Sequence, residues 1–216
     1  MKKYCLLTYT EDEMIVGKTS VQCWHFIRGI SKDTKEEFYI ANDAFLKGDV
    51  DKMHCLTPLY GLRMDRQAKV TDYLNCIVPV IPVINQRMLN LFHEYKEGAY
   101  FTLPMTVIRK NEELRYFCYC TLNRYTEYID YSRSIFRKRN IEITGLKDFE
   151  DYKQKGYPDP VEIYFSKKEI ADVDIFVLKR VNNGPDIFIS EELANRIEEE
   201  NFTGQKVNKE IIAIVD

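Results

Sequence analysis

The chain has 216 residues, 45% apolar and 30% charged with 13% aromatic, enough apolar material for a core without cross-links and too much for disorder. Its 31 basic and 34 acidic residues leave a net charge of −3, which argues against a nucleic-acid coat or a basic membrane binder. No apolar run reaches the roughly 18 residues of a membrane span, and Lys2-Lys3 precede too short an apolar stretch for a secretory signal, so the expected compartment is the cytoplasm.

In chain order, Tyr4 to Tyr9 reads as a strand, and Ser20 to Ile27, rich in apolar and β-compatible residues, as a second. Asn42 to Gly48 predicts a short capped helix ending at glycine, and Asp49 to Ala68 an irregular stretch. Strand-rich zones follow over Ala99 to Leu122, Val161 to Phe165 and Asp174 to Val181, and Lys206 to Val215 closes the chain as a strand. The fold class is α+β, an antiparallel-rich mixed sheet with several surface helices. No Gly/Ser/Pro linker divides the chain, and the densest turn signal, Lys155 to Pro160, is short. The expected organisation is a single domain over 1–216, or two intimate lobes, 1–75 and 76–216.

Two segments share one pattern. Ile81 to Asn85 leads into Gln86 to Gly98, and Ile187 to Ser190 leads into Glu191 to Gly204. Each is a short apolar strand, an N-cap residue, about three helical turns and a glycine stop. Met88, Leu89 and Phe92, like Leu193, Ala194 and Ile197, recur at helical spacing and are expected in the core. Independent origin and internal duplication both fit this likeness.

Catalytic signals are absent. No phosphate-binding glycine loop, nucleophile elbow or zinc-protease motif occurs, and the acidic pairs flank turns or open helices. The six cysteines, Cys5, Cys23, Cys55, Cys76, Cys118 and Cys120, lie mostly in apolar stretches and contain no C-x-x-C. They are expected to be reduced, structural and metal-free. Period-2 geometry puts Cys118 and Cys120 on one strand face. No metal, no cofactor and no catalytic residue is assigned.

The candidate binding surface is Arg124 to Arg139, with three tyrosines spaced by three and five basic residues against Glu127 and Asp130. Tyr and Arg are the types enriched at interface hot spots, so Tyr125, Tyr128, Tyr131, Arg133, Arg137, Lys138 and Arg139 are the candidate partner-binding residues. The same mix suits single-stranded nucleic acid, through stacking and phosphate contacts. A strand edge with a solvated basic turn explains the segment as well. From Glu191 to Glu210 six acids face three bases, a solvated helix surface or one that meets a basic partner.

Lys69-Val70-Thr71-Asp72-Tyr73-Leu74, Pro82-Val83-Ile84-Asn85 with its helix, and Tyr100 to Met105 resemble a family of bacterial immunity proteins, which protect cells from secreted polymorphic toxins. Leu122-Asn123, Ile129 to Ser132, Asp174-Ile175-Phe176 and, most specifically, Phe188 to Leu193 with Phe202-Thr203-Gly204 extend the resemblance over about Val70 to Val207. It implies a 76–216 lobe that is family-like and a cytoplasmic protein without cofactor or catalysis, which binds and blocks a cognate toxin domain encoded beside it. The motifs are structural, and Asn85 stands where family members often carry serine; Asn caps a helix as well as Ser does. A nucleic-acid-binding protein using the Tyr/Arg segment is the alternative reading.

Overall fold

The computed structural model describes residues 2–19, 21–76, 81–122, 126–166, 170, 172–178 and 186–215. In chain order its elements are β1 (Lys2–Tyr9), α1 (Glu13–Val16), β2 (His25–Phe26), α2 (Lys32–Lys47), α3 (Val50–His54), β3 (Leu59–Arg63), β4 (Tyr73–Leu74), β5 (Val83–Ile84), α4 (Gln86–His93), β6 (Tyr100–Arg109) and β7 (Glu112–Thr121). There follow β8 (Ile135–Lys138), β9 (Ile141–Ile143), α5 (Phe149–Gln154), β10 (Asp159–Phe165), β11 (Ile175–Leu178), β12 (Asp186–Ser190), α6 (Glu191–Glu199) and β13 (Gln205–Val215). The class is α+β, as predicted. One sheet runs β11-β12-β1-β13-β10-β8-β9, the other β2-β3-β6-β7-β5-β4. Neighbours are antiparallel except β10 with β13 and β3 with β6.

Several boundaries differ from expectation. The helix expected at Asn42 begins ten residues earlier: Ser31 caps it by accepting from the Thr34 N–H at 3.0 Å, and Gly48 closes it in the left-handed region at φ 69°. Its buried residues Phe38, Ala41, Ala44 and Phe45 keep helical spacing, but its first turn is polar all round. The Asp49 to Ala68 stretch holds α3 and β3, and the second strand shrinks to His25–Phe26. Ser20 and residues 179–181, expected in strands, lie outside the described residues. The caps Asn85 and Ser190 are where expected, accepting from the Met88 and Leu193 N–H groups. Each helix ends before its glycine, at Glu94 and Glu200. The left-handed residue after α6 is Asn201, at φ 54°. Gly204 instead allows a close approach of two backbones. It sits at φ 89°, and a Cβ there would lie 2.0 Å from the Tyr73 carbonyl oxygen.

The likeness of the two strand–helix units extends through both sheets. The order β4-β5-β7-β6-β3-β2 recurs as β11-β12-β1-β13-β10-β8, with the single parallel pair at the same place. Each unit has a helix between the second and fourth of these strands, α4 after β5 and α6 after β12. The counterpart of β7 is β1, supplied by the start of the chain. A boundary near residue 75 therefore falls inside the six-stranded sheet, where β4 pairs with β5, and β1 belongs with the C-terminal strands.

The two units exchange matching contacts. Asp72 precedes β4, and its backbone carbonyl accepts from the Asn85 N–H at 2.8 Å; Asp174 precedes β11, and its carbonyl accepts from the Ser190 N–H at 2.8 Å. Each carboxylate then reaches the chain leaving the other unit's helix. Asp72 accepts from the Thr203 N–H at 2.8 Å, and Asp174 from the Lys96 N–H at 3.0 Å. Reciprocal backbone bonds complete both links, Tyr73 N–H to Thr203 O at 3.0 Å and Asp174 N–H to Lys96 O at 2.7 Å.

Three apolar clusters fill the structure. One face of the six-stranded sheet, with Leu62, Met105, Val107, Tyr116 and Cys118, packs on Phe38, Ala41, Phe45 and Met53 of α2 and α3. Its other face, through Ile84, Phe117 and Tyr119, joins α4, α6 and the seven-stranded sheet's Cys5, Leu7, Val177 and Ile189. The far face of the seven-stranded sheet buries Tyr4, Phe136, Ile163, Phe176 and Phe188 under Tyr131 and Tyr152. Strand β7 is thus buried on both faces near its end, which explains its continuous apolar run. Leu193 and Ile197 are fully buried, while Glu192, Glu199 and Glu200 are exposed. Cys118 and Cys120 share a face, and burial pushes the Cys118 thiol up to about 12. Cys55, however, is exposed.

Candidate partner-binding surface

The Tyr/Arg segment divides into scaffold and surface. Tyr125 lies outside the described residues. Tyr131 is a core residue, 5% exposed, and its hydroxyl donates to the Thr126 carbonyl at 3.0 Å; burial pushes its phenol above the usual range. Tyr128 is half-buried against the same cluster, and its carbonyl accepts from the Ser166 N–H at 2.8 Å. Tyr128 and Tyr131 thus both turn toward the core rather than forming an exposed tyrosine face, and the chain that carries them is a short 3-10 turn followed by an Asp130 turn. The Asp130 carboxylate accepts from the Ser132 hydroxyl and from the Ser132 and Arg133 N–H groups, which holds it below the usual carboxylate range.

The basic residues do reach the surface. Arg133 lies over the Tyr164 ring at 4.4 Å. Arg137 and Lys138 are exposed on β8, and Arg139 with Asn140 forms its two-residue turn to β9, both at positive φ (49° and 65°). That is the backbone of a type I′ hairpin turn. Lys138 donates to the Lys155 carbonyl. This hairpin is a solvated edge of the seven-stranded sheet.

A concave surface lies elsewhere, at the β2 edge of the six-stranded sheet. A cavity of about 400 Å³ is lined by Trp24, Phe26, Arg28, Arg63, Asp65 and Arg66 among others. A second, of about 440 Å³, lies beside it and shares Arg63; Tyr60, Ile108, Lys110 and Glu113 form its walls. The pairing of His25 with Arg63 and of Phe26 with Leu62 brings these separated residues together. Gly61 sets their direction. It sits at φ 100° where the β3–β6 register slips between Tyr60 and Leu62, so Leu62 enters the core and Arg63 stays half-buried at the groove. A Cβ on Gly61 would lie 2.7 Å from Ile30 Cδ1.

The groove is amphipathic. Trp24, the only tryptophan, is 41% exposed, and Tyr60 is 43% exposed. Phe26 packs edge-on to Phe38 at 5.1 Å and to Tyr39 of α2 at 6.5 Å, which continues the aromatic surface. The two acids are engaged within the chain. Asp65 accepts from the Gln67 N–H at 2.7 Å, and Glu113 from the Tyr60 hydroxyl at 3.0 Å, which raises the phenol above its usual range. Arg28, Arg63 and Arg66 form no ion pair among the described residues. Sequence spacing gives little sign of this surface, since it assembles over more than forty positions; the nearest signal is the lone tryptophan.

No group of three His, Cys, Asp or Glu side chains is placed to hold a metal among the described residues. No helix among them is long and apolar enough to cross a membrane. A model of the immunity protein family (Imm11) matches residues 31–210. The match begins well before Val70, taking in α2, α3 and β3, and so includes most of the groove-forming sheet. No curated protein matches the chain.

Proposed function

The chain belongs to the immunity protein family (Imm11), and from that premise we propose that it binds a cognate toxin domain in the cytoplasm and neutralises it without catalysis. The observation that carries this reading is the family match over residues 31–210. An open surface with exposed aromatic rings and arginines supports it, since interface anchors are drawn from those residue types. The mechanism is occlusion: the protein covers the toxin's working surface and is consumed one for one. The exposed basic hairpin, with Arg137, Lys138 and Arg139, and the neighbouring Arg133 contribute attraction at a distance rather than the anchoring contacts. Co-expression with the toxin domain encoded beside the gene tests the proposal. Growth is restored and the two proteins co-purify. Rescue without a detectable complex rejects sequestration.

A further inference from the structure

We propose that the groove at the β2 edge is the anchoring site for the partner and that it receives a carboxylate-bearing segment of the toxin domain, extended along Arg63 from one cavity to the other. This rests on the immunity reading and adds to it the surface and the chemistry of the contact.

Three observations point there. First, the groove has the two components of a protein hot spot, exposed rings (Trp24, Tyr60) and guanidinium groups (Arg28, Arg63, Arg66), in two adjoining cavities that share Arg63. Second, its charges are asymmetrically engaged. Glu113 and Asp65 are already hydrogen-bonded within the chain, whereas the three arginines form no ion pair among the described residues. Arginine forks match carboxylates bidentately, and such contacts strengthen when a partner's bulk excludes water. Third, two cavities in line, sharing Arg63, fit a length of chain better than a compact ligand. An acidic protein segment is favoured over nucleic acid by the chain as a whole. Its net charge is −3, so the chain lacks the overall basic excess from which nucleic-acid binding draws its affinity, whereas a short acidic segment needs only the arginines of the groove.

Gly61 gives the site its rigidity. The bulge fixes the Arg63 backbone on β3, between β2 and β6, instead of on a loop, so little backbone freedom remains to be lost on binding.

The test uses the full chain and the toxin domain encoded beside its gene. Calorimetry compares the wild-type protein with Arg63→Glu, Arg66→Glu and Trp24→Ala, with thermal melting as the control for folding. The groove variants keep the wild-type melting temperature and lose at least about thirtyfold in affinity, the range of a hot-spot residue. Arg63→Lys, which keeps the charge but not the fork, falls between wild type and Arg63→Glu. A wild-type protein that binds the toxin domain while all groove variants bind equally well overturns the groove and leaves the immunity reading standing. A wild-type protein that does not bind the toxin domain overturns the immunity reading itself. A mixed-sequence single-stranded oligonucleotide is titrated in parallel; binding that falls with salt and disappears in Arg63→Glu overturns the protein segment as occupant.

Discussion

Replacing Asp72 with alanine tests the link between the two structural units at its most crowded point. The side chain is almost fully buried, and its carboxylate accepts from the Asn85 amide at 2.9 Å, the Thr203 N–H at 2.8 Å and the Thr203 hydroxyl at 2.9 Å. Arg87 approaches the same carboxylate at 3.4 Å and lies over the Phe202 ring. Hydrogen bonds to a charged group each contribute about 1.5–3 kcal/mol. They do not simply add here. The Thr203 hydroxyl rotates toward water, whereas the Asn85 amide is held by its oxygen's cap on the Met88 N–H, and the Thr203 peptide by the bond its carbonyl accepts from the Tyr73 N–H. The expected loss is about 3 kcal/mol, which lowers the melting temperature by roughly 6–12 °C for a chain of this size. Urea unfolding shows it as a lower midpoint with an unchanged slope. Asp12→Ala is the control, since Asp12 caps only the four-residue α1 from an exposed position, and it costs about 1 kcal/mol or less. A loss below about 1 kcal/mol at Asp72 would refute the claim that this carboxylate ties the units together.

Leu193→Ala empties a fully buried position between the sheets and costs about 2–5 kcal/mol in the same assay; a change under about 1 kcal/mol would show that α6 does not pack there. Asp174 is disfavoured as an anion by burial, but the Lys2 ammonium, the Lys96 N–H and Ser190 outweigh this and hold its carboxyl below its ordinary value. Its contribution to stability is therefore present above the unfolded value of about 3.9 and lost as pH falls through the folded value. Asp174→Asn is less stable than wild type at neutral pH, and the gap narrows below about pH 4; a gap undiminished in acid would assign the effect to shape instead of charge. Tyr131→Ala lowers thermal stability, by about 3–5 kcal/mol if it behaves like other buried aromatic truncations, whereas Arg137→Ala with Arg139→Ala leaves folding unchanged and slows toxin association in a salt-dependent way. Stopped-flow rates that are identical for the double variant and wild type would remove the hairpin from recognition.

Local chemistry makes some elements legible and conceals others. Asn85 and Ser190 announce α4 and α6 because a side-chain oxygen before an apolar periodic run has few other uses. The β6–β7 hairpin reads plainly from Leu103, Met105 and Val107 alternating with half-buried neighbours. Helix α2 is half concealed, since Lys32 to Glu37 carry no apolar stripe and only the Ser31 cap marks its start. Strand β3 carries Gly61 at a bulge, which locally reads as a break. Two features lie beyond any local signal. The place of β1 between β12 and β13 depends on partners about two hundred positions away. The groove depends on the pairing of β2 with β3, so Trp24, Arg28, Arg63 and Arg66 never adjoin in the sequence. The Arg124 to Arg139 segment, by contrast, shows its composition in a single run, and yet Tyr131 is in the core. Composition reveals which residue types are present, while burial is decided by the sheet they meet.

The measurement that most directly tests neutralisation by occupancy is a titration of the toxin domain's activity against this protein. Occupancy predicts that residual activity falls linearly and reaches zero near one equivalent, with both proteins recovered intact in one complex. A small fraction of an equivalent that silences all of the toxin, or a large excess that leaves it active, would contradict it.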